Sequence, residues 1–205
     1  MVRPRRFPNE CRAEAEDADR ARILGDRAQA AFKSEFYDGE MLAMAGASPP
    51  HNIIKDNVIG ELHSQLKGGP CRSYSSDQRV KVTPTGLYTY PDIVLVCGLP
   101  QYDPADPNTL TNPQVILEVL SPETAEYDRG TKFRHYQQLA SVQEVVFISQ
   151  DAMKVERFVR QPGESWLLTT FDDPTGPFAL VSVPVTVLLA DVYRNVVLPE
   201  SRPLR

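Results

Sequence analysis

From Glu35 onward, apolar positions come in short bursts whose period alternates between that of a strand and that of a helix. Phe36 and Tyr37, then Asp38-Gly39, then Met41, Leu42 and Met44 predict a β-hairpin around a type I′ turn, which needs two residues tolerant of positive φ. Ser48 followed by Pro49-Pro50 reads as an N-cap and first turn. Ile54, Val58, Ile59, Leu62 and Leu66 then recur at helical spacing until Gly68-Gly69-Pro70 stops the run. Residues 72–82 and 88–97 are β-rich and separated by Thr83-Pro84-Thr85-Gly86, so they predict neighbouring antiparallel strands. Residues 103–113, with Pro104, Pro107 and Pro113, predict a loop.

Residues 115–120 are apolar on both faces apart from Glu118, which places them in the middle of a sheet. A helix over roughly 128–139 and a second buried strand over 144–149 complete a strand-helix-strand unit, which predicts a right-handed parallel crossover. Residues 154–160 and 166–171 predict a hairpin with one wet face that closes the sheet edge. The apolar runs over 179–183, 185–189 and 191–197 read as packing segments. Residues 1–33 are rich in Arg, Asp, Glu and Ala, and 12–31 carry few apolar positions even if helical. The expected organisation is α/β: a poorly ordered or loosely docked extension over 1–32, one folded domain over 33–200 and a short tail over 201–205.

Composition narrows the function. The 205 residues are 41% apolar and 24% charged, an ordinary globular mixture, and no apolar run reaches the roughly 20 residues of a membrane span. Cys11, Cys71 and Cys97 are odd in number and lack any Cys-x-x-Cys spacing, which argues against a disulfide framework or a structural zinc site and for a reducing cytoplasm. A net charge of −5 excludes a protein that coats nucleic acid by charge alone, so any such contact is local. Arg72, Arg79 and Lys81 form one basic cluster, and Arg129, Lys132, Arg134 and His135 another; each is otherwise a solvated face. The loops of nucleotide-binding, hydride-transfer and serine-hydrolase folds and the zinc-protease His-Glu-x-x-His are all missing.

Glu118 is the most informative residue, because a carboxylate in an apolar strand costs several kcal/mol unless it is paired, protonated or bound to a metal. Asp92 follows Pro91 at the start of another apolar run, Ile93-Val94-Leu95-Val96. If these strands are neighbours, the two acids can share a divalent cation, which would offset their repulsion and activate a water for attack on phosphorus. Lys132 opens the helix after the Glu118 strand and supplies a cation for that water or for the developing charge; Asp128 and Tyr136 lie on the same helix face. The bland alternatives are a buried ion pair for Glu118, a turn acid for Asp92 and a solvated lysine for Lys132. Glu40, as a further acid, and His51, contacting phosphate or moving a proton, are supporting candidates; Asp77 reads as a cap or pairing residue.

Phe36-Tyr37-Asp38-Gly39-Glu40, Met44-Ala45-Gly46-Ala47-Ser48, His51-Asn52, Tyr90-Pro91-Asp92, Glu118-Val119-Leu120-Ser121-Pro122 and Tyr127-Asp128-Arg129-Gly130-Thr131-Lys132-Phe133, in this order, resemble the Uma2 family, also called DUF820. The resemblance runs from about Lys33 to Glu200. It implies a PD-(D/E)xK restriction-endonuclease-like fold, a mixed central sheet flanked by helices, with a phosphodiesterase centre dependent on Mg²⁺ or Mn²⁺. It further implies that Asp92 and Glu118 are the metal acids and that DNA is the nucleic-acid substrate. Leu120 stands where the standard motif has its lysine, and Lys132 looks like a migrated replacement. Homodimerisation is a common strategy for cutting two strands. Two rival readings are a catalytically silent nuclease-fold binding or assembly protein and a hydrolase of a non-nucleic phosphate ester.

Overall fold

The computed structural model of the chain describes residues 33–44 and 46–199. The expected extension over 1–32 and tail over 201–205 lie outside the described residues. The chain divides after Met44 into two units. The first holds the predicted hairpin: β1 (Ser34–Tyr37) and β2 (Glu40–Ala43) pair antiparallel with Tyr37 opposite Glu40. Asp38 and Gly39 have φ of 50° and 83°, as a type I′ turn demands.

The second unit opens with α1 (Pro49–Leu66), whose N-cap Ser48 accepts a hydrogen bond from the His51 N–H at 3.3 Å. Ile54, Val58, Leu62 and Leu66 form its buried stripe at four-residue spacing. The next four strands are β3 (Cys71–Ser75), β4 (Arg79–Val82), β5 (Leu87–Thr89) and β6 (Ile93–Cys97). The long antiparallel pair predicted over 72–82 and 88–97 is therefore broken in its middle. β3 pairs with β6 and β4 with β5, in different sheets. The break falls where Pro91 has no N–H to give a ladder and the Gln78 N–H turns back on the Ser75 carbonyl at 2.9 Å.

Residues 103–113 are corrected from loop to strand in part. β7 (Tyr102–Asp103) and β8 (Asp106–Leu110) pair with each other, and β8 also runs parallel to β4. The buried acids of this hairpin have cationic partners on β4: Arg79 on Asp106, and Lys81 2.6 Å from Asp103. Two members of the first basic cluster are thus spent on buried ion pairs, and Arg72 remains exposed.

β9 (Val115–Leu120) lies, as predicted, between antiparallel β6 and parallel β10 (Glu144–Ser149). The helix predicted over 128–139 begins earlier and is interrupted. It consists of α2 (Ala125–Tyr127), a π-helical turn (Asp128–Lys132) and α3 (Phe133–Gln138). Lys132 consequently ends the π-turn rather than opening the helix. β11 (Val155–Arg160) and β12 (Trp166–Phe171) form the predicted edge hairpin, and β13 (Pro177–Ala179), β14 (Thr186–Leu188) and α4 (Leu189–Val192) follow.

The larger sheet has the order β12-β11-β10-β9-β6-β3, and in the same unit β5, β4, β8 and β7 lie side by side. On one face of the larger sheet, Ile93, Leu95, Val115, Leu117 and Val119 pack with α1 and the apolar tail. On the other, Val94, Val96, Ile116 and Leu120 pack with Val80, Val82, Leu87, Phe133 and Tyr136. Each fully buried aliphatic side chain in these layers contributes about 1.5–3 kcal/mol, which makes the sheet rigid enough to hold a charged group in place. Cys71 and Cys97, opposite each other in the β3–β6 register, form a disulfide, which corrects the expectation drawn from cysteine count and spacing. No described helix is long and apolar enough to cross a membrane.

Candidate active site

Strand alternation aims Glu118 at the face that carries Ile116 and Leu120, toward α3, and leaves it 4% exposed. The β6–β9 ladder stops at the pair Ile93 and Leu117, so Asp92 and Glu118 sit just where backbone pairing ends. The freed groups hold the two acids. The Asp92 N–H donates to Glu118 Oε2 at 3.2 Å, and the Val119 N–H donates to Asp92 Oδ2 at 2.8 Å. The break in the long antiparallel pair, invisible in the apolar pattern, is thus what fixes both carboxylates.

The start of α1 closes a second side. Ser48 Oγ donates to Gln150 Oε1 at 2.8 Å, and the Gln150 N–H donates to the Leu120 carbonyl at 3.2 Å, tying the helix start to the ends of β9 and β10. His51, three residues into this anchored turn, places Nε2 2.9 Å from Asp92 Oδ1. With its proton on Nε2, the ring donates to the carboxylate. Both side chains keep some solvent contact, 13% and 15%, so the centre is wet on the Asp92 side and dry on the Glu118 side.

The helical segment supplies the third side. Lys132 Nζ lies 2.9 Å from Glu118 Oε1 and 3.4 Å from Asp128 Oδ1, and Tyr136 Oη donates to the same Glu118 oxygen at 2.6 Å. Burial pushes the Glu118 carboxyl up from 4.5 to about 8. The Lys132 ammonium opposes that rise most strongly, the charges of Asp128 and Asp92 add to it, and the Tyr136 hydrogen bond opposes it.

The structure therefore brings together Asp92, Glu118, Lys132, His51 and Tyr136. Lys132 is buried rather than solvated, and His51 contacts an acid. Glu40 starts β2 in the first unit and is exposed. Asp77 follows β3 in the turn where the long pair breaks. From the second basic cluster, Arg129 pairs with Glu156, and His135 Nδ1 lies 2.8 Å from Thr85 Oγ1. Two features had no role assigned from sequence: Asp128, marked there only by its spacing from Lys132 and its place in a motif of the resemblance, and the Ser48–Gln150 tie, which joins residues 102 apart.

The donor set fits a hard divalent cation. Two carboxylates converge, the cysteines among the described residues, Cys71 and Cys97, are tied in a disulfide, and Mg²⁺ is commonly held by one or two carboxylates with water completing its shell. Among the described residues no group of three or more His, Cys, Asp or Glu side chains is placed to hold a metal ion, so the candidate ligands are the two carboxylates alone.

The sequence profile of the Uma2 family, described as "Putative restriction endonuclease", matches residues 21–188. Two uncharacterized proteins of Synechocystis sp. are similar: slr1290 is 30% identical over 80% of this chain and 84% of its own, and sll1609 is 33% identical over 73% and 84%. A crystal structure of a "putative nuclease belonging to DUF820" from Anabaena variabilis shares the fold. Its TM-score is 0.67 at 18% identity, over 83% of this chain and 96% of that one.

Proposed function

The chain belongs to the Uma2 family, and from that membership and the geometry above we propose that it is a metal-dependent endonuclease hydrolysing phosphodiester bonds of DNA. The observation that carries this reading is the convergence of Asp92, Glu118 and a buried lysine on one end of an apolar sheet. Asp92 and Glu118 would hold Mg²⁺ or Mn²⁺, which when bound supplies Lewis-acid stabilisation of the charge developing on the phosphoryl group.

The chain's own groups do the rest. The Lys132 ammonium orients the attacking water or stabilises charge on the phosphoryl oxygens. Tyr136 and the Asp92 N–H fix the two Glu118 oxygens. His51 fixes Asp92 Oδ1 on the solvent side, where it is placed to exchange a proton with water. Water adds across the P–O bond: its oxygen bonds to phosphorus, the ester oxygen departs and takes up a proton. A homodimer would set two such centres against two strands.

One observation favours a second reading. Each of the four carboxylate oxygens of Asp92 and Glu118 already has a partner in the protein, as a catalytically silent scaffold would require. The two are separated by incubating the protein with supercoiled plasmid, single-stranded DNA, RNA and a small phosphodiester, each with Mg²⁺, Mn²⁺ or EDTA. Metal-dependent nicking of plasmid that EDTA stops is the expected result. Turnover of the small ester alone would identify a different hydrolase, and turnover of none would leave the scaffold.

A further inference from the structure

The functional reading gives no role to Asp128, a buried acid beside Lys132. Asp128 and Lys132 mark the two ends of the π-helical turn, in which the Phe133 N–H reaches back five residues to the Asp128 carbonyl. Such turns are rare and hold side chains away from the positions a plain α-helix gives. The side chains of Asp128, Lys132 and Glu118 are only 8%, 5% and 5% exposed, and the ammonium is 3.4 Å from an Asp128 oxygen and 2.9 Å from a Glu118 oxygen.

We propose that Asp128 is a positioning residue: it is the anchor that keeps Lys132 in the centre when Glu118 is engaged by a divalent cation. The inference rests on the nuclease reading for its catalytic consequence but not for its geometry. Glu118 has two claimants. The same carboxylate that holds Lys132 is one of the two that would hold the cation, and two cations drawn to one carboxylate repel each other. Asp128 has no such double duty. It lies on the helical segment, four residues before Lys132, and its charge keeps the ammonium from being displaced toward solvent. Tyr136 cannot replace it, because its hydroxyl donates to Glu118 and carries no charge to hold an ammonium.

The test combines two readouts on full-length protein carrying Asp128→Asn or Asp128→Glu. The first is the rate at which an amine-acylating reagent modifies Lys132, followed by peptide mass spectrometry, with Lys154, whose side chain is 40% exposed, as internal reference. In the parent protein Lys132 is protected relative to Lys154 with and without saturating Mg²⁺. In Asp128→Asn, protection falls about 10- to 100-fold when Mg²⁺ is present, the factor that one charge-assisted hydrogen bond supports, and Asp128→Glu restores it in part. The second is plasmid cleavage at saturating Mg²⁺, in which Asp128→Asn lowers kcat by a similar factor with KM for DNA unchanged. Equal protection of Lys132 in the parent and both variants overturns the proposal whether or not the protein cleaves DNA. Absence of cleavage in the parent, with Lys132 exposed only in Asp128→Asn, overturns the nuclease reading and keeps the anchor.

Discussion

Replacing Glu118 by Gln is expected to abolish cleavage, by about a thousandfold or more, while leaving the fold in place. The amide oxygen can still accept from Lys132 and Tyr136, so the neighbours keep most of their bonds. What disappears is a negative charge whose burial already drives its carboxyl up to about 8. Stability should therefore change by less than about 2 kcal/mol in either direction, since a buried charge is removed at the expense of a mismatched bond to the Asp92 N–H. Cleavage kinetics and a denaturant melt on the same preparation check this. Unchanged cleavage with altered stability would mean that Glu118 is a structural ion-pair residue and nothing more.

The opposite balance is expected for Lys132→Met. Its ammonium is the charge partner of two buried acids, and removing one member of such a cluster destabilises a protein by about 3–5 kcal/mol. The loss should depend on pH with a definite sign. Because the folded-state value of Glu118 is raised, its contribution to stability is fully present below 4.5 and is lost as pH rises through about 8. Lys132 is the strongest influence opposing that rise, so its removal steepens the loss. Thermal melts of Lys132→Met should fall short of the parent by far more at pH 8.5 than at pH 5, and cleavage should fall as well. Equal deficits at both values would show that the lysine is not compensating these acids.

How much of this was legible in the sequence differs residue by residue. Glu118 announced itself because it interrupts an apolar strand, and Asp92 because Pro91 and an apolar run bracket it. The Asp38-Gly39 turn, the Ser48 cap and the middle position of β9 follow from local chemistry that tertiary context did not override. The division of one long antiparallel pair between two sheets was not legible, because the apolar pattern runs through it. The hairpin of 102–103 and 106–110 was hidden for the opposite reason: the prolines and acids of 103–107 look like a loop until Arg79 and Lys81 on β4 meet Asp106 and Asp103. The π-turn adds a single residue to a helical repeat, too little to disturb a period read over a dozen positions. The Cys71–Cys97 bond depends on strand register alone, which no spacing rule reports. Leu120, at the place where the resemblance implies a lysine, also has a physical reading. Leu120 belongs to the apolar layer with Phe133 and Tyr136, and Lys132 approaches Glu118 from the helical segment instead.

The central claim is that Asp92 and Glu118 together take up a divalent cation, and calorimetric titration of the protein with Mg²⁺ at several values between pH 6 and pH 9 tests it most directly. Because Glu118 must lose its proton to bind, affinity should rise by about tenfold per pH unit up to about 8 and then level off, and it should vanish in Asp92→Ala. Absence of binding at every pH, or an affinity that neither pH nor Asp92→Ala alters, would contradict it.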